Sequence, residues 1–276
     1  MKVQGSAVKR TLKRIVIYGI ASYVAICALL FAIQDLLVYF PTTSNTPLRV
    51  VVEEYELSPS DPIDVSLHGY IVNSDTEGPV VVFFTGNAGD ARSYVNVLAQ
   101  LEFTVVLTNY RGYGKSSGKP SEKTILSDAK VIIEWTKSHY PRRPIFLMGF
   151  SLGSGVALLS SDGSVDGLIL VSPFRSLVHV ANRTVMRIFP LRLLMRNKFD
   201  SQPMLDSLPE NVLVLYSTED TLIPTKETVS LLKHIPQATV LTDDVHHNRM
   251  LSRPENVQAI RDWLKLQNWD VSNSDD

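Results

Sequence analysis

Two pentapeptides in this chain place a serine at the centre of a glycine-flanked turn: Gly114-Lys115-Ser116-Ser117-Gly118 and Gly149-Phe150-Ser151-Leu152-Gly153. A serine hydroxyl attacks an acyl carbon when a sharp strand-to-helix turn exposes it and a base can take its proton. Only the second pentapeptide has that setting. The apolar run 145–148 leads into it and the small-residue, helix-compatible run 154–159 leads out. The first is followed by Lys119-Pro120, and proline disfavours a helical conformation in the residue before it. Ser116 therefore reads as a loop serine and Ser151 as the nucleophile.

The base should be a histidine, held in orientation by an acid. Six are present: His68, His139, His179, His234, His246 and His247. Only His246 and His247 follow a late strand near its carboxyl end. His139 and His234 sit at helix ends, His68 near the start of an early strand and His179 in a helical insertion. An acid between serine and histidine in chain order is expected at another strand end. Glu219 and Asp220, after strand 212–216, both satisfy that. Asp243 and Asp244 share the histidine loop and read as capping or solvent-facing, while Asp162 and Asp166 flank a turn. Two backbone donors should face the oxyanion. The N–H of Leu152 follows the serine, and the loop 85–89, Thr-Gly-Asn-Ala-Gly, offers the other. No phosphate-binding glycine motif occurs, which argues against nucleotide binding.

The elements that must position these groups alternate. Strands are expected over 50–57, 66–72, 79–85, 103–109, 145–148, 167–171, 212–216 and 238–241. Helices are expected over 90–101, 122–139, 154–159, 225–234 and 254–266. That order predicts a mostly parallel sheet covered on both faces, with sites at the carboxyl ends of the strands. Residues 174–209 contain no clear strand but carry Arg175, Arg183, Arg187, Arg192 and Arg196 among apolar residues, and read as a small helical cap.

At 276 residues, 45% of them hydrophobic, the chain can bury one large core. Its 27 basic and 28 acidic residues give no pull toward nucleic acid. A single cysteine, Cys27, excludes zinc-type Cys/His spacing, and no metal or cofactor is implied. Residues 1–14 hold five basic side chains and no acid, and 15–33 hold no charge. A helix of that length spans roughly 28 Å, enough to cross a bilayer, and is too long for a signal-peptide core. The segment reads as an uncleaved, single-pass signal anchor. The positive-inside rule puts residues 1–14 in the cytoplasm and the domain in the periplasm or lumen. Residues 34–48 read as a connector, 49–270 as the domain and 271–276 as a polar tail.

Several motifs in this order resemble the α/β-hydrolase superfamily, and within it the membrane-anchored alpha/beta-hydrolase-domain-containing proteins of the 12/13/17 type. They are Gln34-Asp35 with Tyr39-Phe40-Pro41, Gly86-Asn87-Ala88-Gly89, Asn109-Tyr110-Arg111-Gly112-Tyr113-Gly114, Pro120-Ser121-Glu122, the Ser151 pentapeptide, Ser172-Pro173-Phe174, Asp220 with Ile223-Pro224, and His247-Asn248. The resemblance implies an eight-stranded α/β-hydrolase sheet with helices on both faces, a small cap and one N-terminal transmembrane helix. It implies Ser151 as nucleophile, Asp220 as acid, His247 as base, and Asn87 and Leu152 as oxyanion donors. Thr85, Ser217, His246 and Arg249 depart from the family pattern, which usually has His, Gly, Gly and a small or acidic residue there. The expected activity is cleavage of an acyl ester or thioester, lipid-like substrates included, through an acyl-enzyme. The alternatives are a serine aminopeptidase-like peptidase and a non-catalytic membrane scaffold.

Overall fold

Residues Val80–Phe84 are five apolar residues in succession with no polar alternation, so a strand built from them must be covered on both faces. The structure, a computed structural model, describes residues 2–59 and 64–267, with side chains from residue 9 onward. In it Val80, Val82 and Phe84 join one core layer and Val81 and Phe83 the other. The polar tail expected at 271–276 lies outside the described residues.

In chain order the elements are α1 (Lys2–Val38), β1 (Val52–Leu57), β2 (Leu67–Val72), β3 (Val80–Phe84), the short α2 (Val95–Leu98) between two 3₁₀ turns, β4 (Thr104–Thr108) and α3 (Glu122–His139). They continue with β5 (Ile145–Phe150), α4 (Leu152–Leu159), β6 (Gly167–Val171), α5 (Leu177–Ala181), α6 (Leu191–Leu194), β7 (Asn211–Ser217), α7 (Thr225–Leu232), β8 (Thr239–Asp243) and α8 (Pro254–Leu266). The eight strands form one sheet in the order β1-β2-β4-β3-β5-β6-β7-β8. β1 with β2, and β2 with β4, are antiparallel. All other pairs are parallel, so β5, β7 and β8 end on the same edge. This is the α/β-hydrolase fold; between β6 and β7, residues 174–209 form only short helices and 3₁₀ turns, the stretch called the cap below.

Local chemistry sets the helix ends. Ser121 and Thr124 exchange side-chain and backbone hydrogen bonds in a capping box that starts α3. Pro254 opens α8, where its missing N–H costs nothing. The loop between β4 and α3 is tied down by a buried, bidentate pair: Arg111 Nε and Nη2 donate to Asp128 Oδ2 and Oδ1 at 2.8 and 2.7 Å.

α1 is long and apolar enough to cross a membrane. It does not stop where the apolar run ends at residue 33. The helix continues to Val38 because partners in the cap satisfy Gln34 and Asp35. Gln34 Nε2 donates to Leu194 O (3.1 Å) and Gln34 Oε1 accepts from Arg196 N (2.6 Å). Asp35 accepts from Arg196 Nη2 (2.9 Å) and Asn197 Nδ2 (2.6 Å). Asn197 Oδ1 in turn accepts from Tyr39 Oη and from Glu122 N, which locks the end of α1, the cap and the start of α3 into one joint.

Candidate active site

Ser151 sits between β5 and α4 at φ 54°, ψ −118°, a backbone conformation that L-residues rarely adopt. The strain is held by packing and by hydrogen bonds on both sides of the turn. Ser151 N donates to Val171 O of the neighbouring strand at 2.9 Å. Its carbonyl accepts from Ser154 N (2.9 Å) and Ser154 Oγ (2.6 Å). The two flanking glycines are sterically required. A Cβ on Gly149 would lie 2.0 Å from Gly153 O, and one on Gly153 would lie 2.0 Å from Phe84 O. Both atoms are backbone and neither can step aside. Gly153→Ala should therefore destabilise the fold by roughly 3 kcal/mol or more. It should lower the melting temperature of the detergent-solubilised full chain by roughly 10 °C.

β7 ends in a turn that buries Asp220 while leaving Glu219 exposed. Asp220 Oδ1 accepts the N–H groups of Leu222 (2.9 Å) and Ile223 (2.7 Å), and its Oδ2 meets His247 Nδ1 at 2.6 Å. Burial pushes the Asp220 carboxyl up. The hydrogen bond and charge of His247, with the two N–H groups, outweigh burial and hold it below its ordinary value. His247 opens a 3₁₀ turn after β8 and is buried. Its ring lies 5.0 Å from that of Phe150, the residue before Ser151. Among the described residues the one hydrogen bond of this imidazole is to Asp220, which leaves Nε2 unengaged. Ser151 and His247 both line one cavity of about 580 Å³.

The loop after β3 lies over the serine: a Cβ on Gly86 would be 3.6 Å from Ser151 Cβ. Thr85, at a position where the sequence departs from the family pattern, closes this loop through its hydroxyl, which donates to Gly89 O at 2.9 Å. Asn87 is fixed from the far side, its carbonyl accepting from Tyr113 Oη (2.6 Å) and Phe40 N (2.9 Å). Its Nδ2 donates to Val38 O (3.1 Å). No carbonyl of the described residues accepts the backbone N–H of Asn87 or Leu152.

The other candidates go elsewhere. Ser116 Oγ is buried between Asn109 O and His68 N, at 3.1 and 2.9 Å. His68 Nε2 pairs with Glu54, and His179 Nδ1 with Ser176 of its own turn. Asp243 accepts from Arg253 and Asn256, and Asp166 accepts from Ile145 N. His246 is exposed at φ −57°, ψ 148°, a conformation that needs no glycine. Sequence reasoning did not assign the rest of the cavity wall. Leu37 and Val38 from α1, Leu177 and Met195 from the cap, and Leu222 line it. The Gln34-Asp35 pair directly after the apolar run was the available signal that α1 ends against the domain.

Comparison with known proteins agrees with the architecture. A model of the alpha/beta hydrolase fold matches residues 79–202. A lysophosphatidylserine lipase, ABHD12 of Danio rerio, is 34% identical over 169 residues, covering 53% of this chain and 44% of that protein. The human Protein ABHD12B is 29% identical over 221 residues, 68% of this chain and 61% of its own. An uncharacterized protein of Mycobacterium tuberculosis is 29% identical over 245 residues, 84% and 87% of the two chains. The chain thus spans about half the length of the two named relatives. Among solved structures, the Pyrococcus furiosus esterase Pf2001 superposes with a TM-score of 0.67 at 19% identity, covering 83% of this chain and 96% of that one. At that identity the likeness is one of fold.

Proposed function

We propose that this chain, which has the α/β-hydrolase fold, is a membrane-anchored serine hydrolase that cleaves acyl esters or thioesters, with single-chain lipids among its substrates. The supporting observation is the 2.6 Å bond between His247 Nδ1 and Asp220 Oδ2 at the wall of the cavity that also holds Ser151. In this reading Ser151 Oγ attacks the acyl carbon as its proton passes to His247 Nε2. Asp220 keeps the Nδ1 proton in place and balances the imidazolium. The N–H groups of Leu152 and Asn87 take up the oxyanion. Collapse of the tetrahedral intermediate breaks the bond to the leaving alcohol or thiol, which takes the proton from Nε2. Water then hydrolyses the acyl-serine by the same route in reverse. The chemistry calls for no metal or cofactor.

The cavity favours an acyl chain over a peptide amine. Its walls are mainly apolar, and no Asp or Glu lines it among the described residues. An N-terminal ammonium would find no carboxylate there, which places the aminopeptidase-like reading second. α1 supplies the anchor, with the domain outside the cytoplasm. The lipase named among the relatives acts, by that name, on a lysophospholipid, in keeping with this substrate class. A fluorophosphonate probe tests the proposal. Wild type and Ser116→Ala should be labelled and Ser151→Ala should not. Labelling of none of the three would support the scaffold reading, and loss on Ser116→Ala alone would move the nucleophile.

A further inference from the structure

The cap does not merely cover the sheet edge; it runs back along α1. Arg196 pairs with Asp35, and its guanidinium lies 5.1 Å from the centre of the Phe31 ring. Further along, Tyr23 Oη donates to Ile188 O at 2.8 Å, and the Tyr23 ring stacks on Phe189 at 5.6 Å. Tyr23 lies ten residues before Ile33, the end of the uncharged run, roughly 15 Å along the helix axis. If residues 15–33 cross the bilayer, a segment bonded to Tyr23 cannot stay above the headgroups.

That segment is dressed for such a position. Val185, Ile188 and Leu193 are 82%, 66% and 83% exposed, with no protein surface over them. Single exposed apolar side chains are ordinary, but here three fall within nine residues of one strandless stretch beside α1. Arg187 and Arg192 stand between them, exposed and with no acidic partner among the described residues. A guanidinium on a long apolar stem can reach a lipid phosphate while its neighbours sit in acyl chains. At the other end of the same joint Leu36, Leu37 and Phe40 are also exposed, and Leu37 and Val38 with Met195 of the cap form part of the cavity wall.

We infer that the cap tip, residues 185–193, is a second membrane-contacting element. It enters the domain-side leaflet next to α1, so that an acyl chain passes from the bilayer between α1 and the cap to Ser151 without crossing water. This rests on α1 being a membrane anchor and deepens the lipid-hydrolase reading. The partner is the lipid bilayer itself: acyl chains for Ile188 and Leu193, with the apolar stems of Arg187 and Arg192 extended toward the headgroup side.

The test uses the full-length chain with Cys27→Ala, reconstituted in phosphatidylcholine vesicles, carrying a single environment-sensitive nitrobenzoxadiazole label at Ile188→Cys or Leu193→Cys. Quenching by doxyl-labelled phosphatidylcholine, with protection from aqueous iodide at both positions, supports membrane entry. Iodide quenching without doxyl quenching overturns it. This readout needs no turnover, so it stands apart from the catalytic reading. A second arm compares two esters with the Ile188→Asp, Leu193→Asp double variant. Turnover of soluble p-nitrophenyl butyrate should stay near wild type, while a long-chain ester dissolved in the vesicles should be cleaved about tenfold more slowly. An equal change on both esters, or none on either, overturns the proposed route. Wild type inactive on both, with doxyl quenching retained, would instead sink the hydrolase reading and leave membrane entry standing.

Discussion

Replacing Ser151 by alanine is expected to lower kcat on any accepted ester by roughly a million-fold while leaving the fold intact. In the proposed mechanism the rate effect follows from removing the only atom that forms the acyl bond. What survives is the contribution of oxyanion donors and binding, which act without a nucleophile. The stability expectation follows from the contacts. Ser151 holds its turn through backbone groups, which alanine keeps: N–H to Val171 O, and C=O from Ser154. Ser116→Ala should do the opposite. Its hydroxyl accepts the buried N–H of His68 and donates to Asn109 O. Alanine strands both groups, at about 1–3 kcal/mol. The melting temperature should fall by several degrees with kcat near wild type. Two serines in matching pentapeptides are thus separated by a crossed pattern, with activity lost at one and stability lost at the other. Initial rates and thermal melts of the two purified variants measure both axes. Retained activity in Ser151→Ala, or lost activity in a folded Ser116→Ala, would overturn the assignment.

Those pentapeptides also show what was legible before any coordinates. Strands β3, β4 and β5 are apolar without alternation, because both faces of a central parallel strand are covered, and such runs stand out in a sequence. Gly149 and Gly153 were legible too, since only a tight turn needs two residues without a side chain at that spacing. Choosing between Glu219 and Asp220, or His246 and His247, was not open to spacing alone. Each pair is chemically equivalent on paper. In the proposed triad the buried member of each pair is taken, and burial depends on contact between segments 27 positions apart. The family resemblance, not local reasoning, is what favours Asp220 and His247. The joint between α1 and the cap was the least legible feature. Asn197 is one polar residue in an arginine-rich stretch, and nothing around it announces that it will bind Tyr39, Asp35 and Glu122 at once. Nor does composition say that Leu37 and Val38 at the end of α1 will line the cavity, because that follows from where the helix meets the domain.

Asp220→Asn should reduce kcat by about 10⁴ with KM changed little, because it alters where the imidazole carries its proton and not how substrate is held. In the wild type the Oδ1 atom is occupied by the N–H groups of Leu222 and Ile223, which leaves Oδ2 for His247 Nδ1. Asparagine will keep its oxygen toward those two donors, since an amide NH₂ there would face N–H groups. Its NH₂ then points at Nδ1, which can only accept. The proton must move to Nε2, and a protonated Nε2 cannot remove the proton from Ser151. The pH dependence of stability gives an independent check. Asp220 is held below its ordinary value in the folded state, so its stabilising contribution is fully present above the unfolded carboxylate value of about 3.9. It is lost as the pH falls through the lower folded value. The difference in melting temperature between wild type and Asp220→Asn should therefore hold at neutral pH and close below about pH 4. A variant that kept its rate, or a gap in melting temperature that widened in acid, would mean that the carboxylate neither orients His247 nor depends on it for its charge.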